Sequence, residues 1–64
     1  MMLNSRETQQ VAAELVEKYG SITPGAAMRY AREAEQRNDL IVMTEWLRIA
    51  HEALRQLPTE VLFS

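Results

Sequence analysis

The chain has 64 residues, a formal net charge of −2, 47% hydrophobic residues, one histidine and no cysteine. That length allows one domain near the lower limit for independent folding, with about 60% of the unfolded surface buried, and no disulfide or thiolate site to reinforce it. The charge gives no electrostatic case for nucleic acid or an anionic membrane, one histidine argues against a metal staple, and no apolar run approaches the roughly 20 residues of a membrane span.

Met1 to Leu3 form a short apolar lead-in without the basic and apolar regions of a signal peptide, so the expected location is cytoplasmic. Asn4 followed three residues later by Glu7 is a capping-box pattern, with Leu3 placed to pack back onto the first turn near Thr8. The helix that follows, 5–19, gathers Val11, Ala12, Leu15, Val16 and Tyr19 on one side, an arc of about 140°. Gly20 is its expected stop, since glycine enters positive-φ conformations freely, and Ile22 is the apolar residue expected to pack beneath that stop.

Thr23-Pro24 reads as an N-cap followed by proline at the first helical position, where a missing N–H costs nothing. The second helix, 24–37, has an inner face of Ala27, Ala31 and Ala34, flanked by Met28 and Tyr30. Alanine lets helix axes approach closely but buries little area. Asn38, tolerant of positive φ, and Asp39, a good N-cap, make the second break. A connection this short leaves the flanking helices antiparallel or steeply crossed.

The third helix, 39–57, is the one around which the chain is organised. Leu40, Val42, Met43, Trp46, Leu47, Ile49, Ala50, Ala53, Leu54 and Leu57 fill half of its cylinder, with Ile41 the one large apolar residue on the other half. An ordinary surface helix needs an apolar stripe only a little over 100° wide. Pro58 discourages continuation and opens a tail, 58–64, ending Val61-Leu62-Phe63-Ser64. The predicted fold is therefore all-α: residues 1–64 as one small three-helix bundle with the third helix central, and Leu15, Ala31, Trp46, Leu47, Ala50 and Leu54 inside.

Tyr19-Gly20, Pro24, Asp39, Trp46, Ile49 and Ala50 also carry a resemblance. Their spacing resembles that of a family of short uncharacterised alphaproteobacterial helical proteins over about residues 19–57, with Asn38 standing where that family usually has glycine. The resemblance implies the helical architecture. It brings no catalytic residue and no function.

Candidate chemistry is sparse. His51 lies at the edge of the apolar arc, and Glu52 points about 100° away from it by helical geometry, so no convergent constellation forms around the imidazole. Glu45 and Glu52 share a face, but Arg48 and Arg55 interleave them at i,i+3 and i,i+4 spacing, the pattern of a solvent-exposed ion-pair ladder. Arg29, Arg32 and Arg37 beside Tyr30 are offset by Glu33 and Glu35. A helix-turn-helix would present Glu45 and Glu52 to phosphates, a poor arrangement, so nucleic-acid binding is the alternative reading rather than the first.

No enzyme, cofactor or metal site is expected. The expectation is a non-catalytic interaction or regulatory adaptor module, with no nucleic-acid or membrane partner. It associates with itself as a homodimer, or with another protein, through surplus apolar surface. Ile41, Val42, Trp46, Ile49, Leu62 and Phe63 are the candidate interface residues.

Overall fold

The computed structural model describes residues 3–58. Their regular structure is helical throughout: α1 spans Ser5–Tyr19, α2 spans Thr23–Gln36 and α3 spans Leu40–Gln56. A 3-10 turn, Gly20–Ile22, joins α1 to α2 with no non-helical residue between them. The helical backbone is thus one bent run, 5–36, followed by a second run, α3, rather than the three separate helices expected.

The reason lies at Gly20 and Thr23. Gly20 bends the chain with φ 64° and ψ −137°, yet its N–H still bonds to the Val16 carbonyl. That ψ falls outside the left-handed helical well, in territory that is essentially glycine's alone. Thr23 does not cap α2 from outside. It is itself helical at φ −56° and ψ −47°, and its buried hydroxyl donates to the Leu15 carbonyl of α1 at 3.0 Å. Threonine before proline serves a new start, but a hydroxyl that finds a carbonyl one turn below serves continuation equally well. Ile22, expected beneath the stop, lies exposed on the outside of the bend.

The other boundaries follow the sequence closely. Asn4 Oδ1 accepts from the Glu7 N–H at 2.8 Å, and the Glu7 carboxylate accepts from the Asn4 N–H at 3.1 Å, completing the capping box. Asn38 takes φ 60°. The Asn38 N–H bonds to the Glu35 carbonyl and the Asp39 N–H to the Ala34 carbonyl, each at 2.9 Å. Together these form a Schellman closure of α2, one residue earlier than expected. Asp39 then caps α3 by accepting from the Val42 N–H. At its far end α3 stops at Gln56, and buried Leu57 turns extended ahead of Pro58, as the clash with a following proline ring requires.

Packing is organised around α3, which both α1 and α2 contact extensively while touching each other little. The core joins Ala12 of α1 and Ala27 of α2 to Ile49, Ala50 and Ala53 of α3, with Leu3, Val11, Leu15, Val16 and Trp46 half-buried around it. Ala31 and Ala34 extend the buried alanine face of α2. Leu3 sits between Glu45 and Arg48 of α3, while the Gln9 carbonyl accepts from Gln56 Nε2 and Leu15 lines a groove with Trp46. Therefore α1 crosses α3 obliquely.

Two residues expected inside are outside. Leu47 is 38% exposed and Leu54 45% exposed. The alanine face explains this. With methyl groups alone at the contact, the α2 backbone settles close onto α3 and does not splay wide enough to reach over Leu47 and Leu54.

Candidate interaction surface

Helical geometry, at about 100° per residue, sorts the apolar half-cylinder of α3 into two strips. Val42, Trp46, Ile49, Ala50 and Ala53 lie within an arc of about 100°, the width an ordinary amphipathic helix buries. These residues are buried or half-buried against α1 and α2. The remaining arc, about 60° wide by the same geometry, holds Leu40, Met43, Leu47 and Leu54. Of these, Leu40 is 60% exposed, and Met43 is half-buried.

The exposed strip continues onto α2. Met28, half exposed, lies with Met43 and Leu47 around a shallow hollow of about 160 Å³ whose rim carries Arg32 and Glu35. On its other side the strip meets Thr44, His51 and Arg55, part of a shallow polar groove shared with Ser5, Thr8 and Gln9 of α1. The result is an apolar stripe at seven-residue spacing with polar margins.

The residues singled out from sequence distribute unevenly over this surface. Ile49 is core, 4% exposed, and is unavailable to a partner, which corrects its assignment to an interface. Val42 is half-buried, and Trp46, also half-buried, packs against the core cluster. Ile41 is exposed, well around the helix from the leucines. Leu62 and Phe63 lie outside the described residues. Sequence reasoning identified the surplus on this helix but put Leu47 and Leu54 inside. Their i,i+7 relation to Leu40 was the signal that could have marked them as a separate stripe.

A second apolar surface lies at the bend. Leu15, Tyr19, Ile22, Ala26, Ala27, Tyr30 and Trp46, with Thr23, line a groove of about 440 Å³. Its wall is aromatic, with the Tyr30 and Trp46 rings 4.9 Å apart at 31°. Tyr19, expected in the buried face of α1, opens into this groove half exposed.

The expected ladder of Glu45, Arg48, Glu52 and Arg55 is only partly an ion-pair ladder. Arg55 meets Glu52 at 3.2 Å. Glu45 and Arg48 instead hold the backbone of Leu3: the carboxylate accepts from its N–H at 3.0 Å, and the guanidinium donates to its carbonyl at 3.1 Å. These two charged side chains tie the entry to α1 onto α3. On α2, Arg29 faces Glu33 at 3.8 Å with both groups exposed, so part of the basic cluster is locally balanced.

Among the described residues, no helix is long and apolar enough to cross a membrane, and no three of His, Cys, Asp and Glu converge. In comparisons with protein-family models, curated proteins and solved structures, nothing matches this chain.

Proposed function

We propose that this protein is a non-catalytic, cytoplasmic interaction module that associates with itself through the outer stripe of α3. The three helical segments act as a small bundle whose role is to hold α3 with one apolar strip buried and the other presented. The resemblance to the short alphaproteobacterial helical proteins is consistent with this architecture. The observation that carries the reading is the set Leu40, Leu47 and Leu54, with Met43 and Met28 beside them, left open on the helix that forms the core. Covering a leucine contributes about 1.5–3 kcal/mol, and a chain of this length has a net stability of only about 3–10 kcal/mol. Covering several such side chains is therefore a large term for a domain of this size.

The alternative, a nucleic-acid-binding helix-turn-helix, is disfavoured by the same surface. The open face of α3 would bring three leucines into a groove where base edges and phosphates call for donors and cations.

The test is sizing chromatography with light scattering over a dilution series. Wild-type protein should show a dimer mass that falls towards the monomer on dilution. Leu47→Glu should remain monomeric with its helical circular dichroism intact, while Ile41→Glu, off the stripe, should still dimerise. A wild-type protein that stays monomeric at the highest concentrations reached would overturn the proposal.

A further inference from the structure

Resting on that reading, we infer that the occupant of the stripe is a second copy of the same chain, with the two α3 helices antiparallel about a two-fold axis at Leu47. The first support is spacing. Leu40 and Leu54 lie seven residues to either side of Leu47, about 10.5 Å at 1.5 Å per residue. A two-fold axis through Leu47 and perpendicular to α3 lays Leu40 on the partner's Leu54, Leu47 on the partner's Leu47, and Leu54 on the partner's Leu40. The stripe is its own complement in that orientation, as a two-fold interface requires.

The second support is charge. Asp39, exposed, caps the N-terminal end of α3, and Arg55, exposed, stands in its last turn. Antiparallel pairing brings the acidic end of one helix to the basic end of the other and opposes the two peptide macrodipoles. Parallel pairing sets Asp39 beside the partner's Asp39, Arg55 beside the partner's Arg55, and aligns the dipoles. The apolar spacing tolerates either orientation. The charges select the antiparallel one.

The margins fit as well. Thr44 and His51 flank the stripe on the same side of α3. About an axis near Leu47 they face each other across the pair, a short polar side chain opposite an imidazole, with no acidic residue from that margin brought against another.

The chain contains no cysteine, so engineered thiols report the geometry directly. Leu40→Cys and Leu54→Cys are purified separately, reduced, mixed and oxidised gently, with each variant alone in parallel. A disulfide needs Cα atoms within about 7 Å. Antiparallel pairing keeps the two equivalent cysteines of either variant alone about 21 Å apart along the helix, by the same 1.5 Å rise. The expected result is a cross-linked species of two chains in the mixture and little in either variant alone, with Leu47→Cys linking readily to itself. Thr44→Cys mixed with His51→Cys forms a second pair that removes no leucine, and it should behave as the first does. Rapid linking of Leu40→Cys or Leu54→Cys to itself, in a protein whose wild type is dimeric, overturns the antiparallel arrangement and leaves self-association standing. A wild-type monomer at every concentration overturns both. That result includes the case in which residues 59–64 cover the stripe within one chain.

Discussion

Ala53 is the position at which the packing account is most exposed to disproof. Its side chain has no accessible surface, and it belongs to the cluster in which Ala12 of α1 and Ala27 of α2 both meet α3. Replacing it with leucine adds three carbon atoms where two neighbouring helices already sit at alanine distance. The added group cannot turn outward without moving α1 or α2. Overpacking of a well-packed core typically costs about 1–3 kcal/mol, and a site closed by two backbones should fall at the upper end. In a domain of this size each kcal/mol lowers the melting temperature by about 4–8 °C, so Ala53→Leu should melt on the order of 10–20 °C below wild type. The assay is thermal unfolding by far-ultraviolet circular dichroism at one fixed protein concentration, because association would otherwise add its own stabilisation. Ala13→Leu is the control. It lies exposed on α1, and the two residues have similar helix propensity, so it should move the midpoint by no more than a degree or two. An Ala53→Leu protein as stable as wild type would refute the close approach of the three helices. An equal loss in both variants would show that the leucine, not the site, is responsible.

Two further outcomes test the local chemistry. Gly20→Ala should destabilise by about 1–3 kcal/mol, because its backbone sits at φ 64° and ψ −137° although nothing lies within 4 Å of an added methyl group; Gly25→Ala, helical and equally open, should stabilise by about 0.4–1 kcal/mol, both read from urea unfolding. Arg48→Ala removes the donor to the Leu3 carbonyl, and should cost about 1–2 kcal/mol while speeding amide exchange in the first turn of α1 more than in α2; equal exchange in both helices would argue that Arg48 serves the surface alone.

Where a boundary depends on residues adjacent in the chain, the sequence was a sufficient guide. Asn4 with Glu7, Asn38 at positive φ and Asp39 over Val42 each form the closure their spacing implies. Gly20 and Thr23 were harder, since threonine before proline is compatible with capping a new helix and with continuing a bent one. The decision came from the Leu15 carbonyl, which the bend brings within reach. The width of the apolar arc on α3 was also legible, but which part of it is covered depends on where α1 and α2 land. Alanine at the contact drew α2 in close and left Leu47 and Leu54 outside. Least legible was the grip of Glu45 and Arg48 on Leu3, which joins residues 42 and 45 positions apart. Their charge spacing on α3 is that of an ordinary solvent face, and nothing local marks them as partners of a backbone.

The dependence of α1 and α2 on a shared partner, with little contact between the two, also sets an order of events during synthesis. Both helices leave the ribosome before α3, and neither can bury its inner face on the other. The alanines of α2 contribute too little area to hold a helical pair together, and helices of this length are marginal alone in water. The nascent chain therefore has no stable globular intermediate to fall into. The short turn at Asn38-Asp39 lets α2 close onto α3 as soon as α3 exists, a local event. Docking of α1 follows by contacts that span most of the chain, Leu3 to Glu45 and Gln9 to Gln56. Translation that stalls within the codons for α3 would release a product with two amphipathic helices and no core, a substrate for proteolysis rather than for folding.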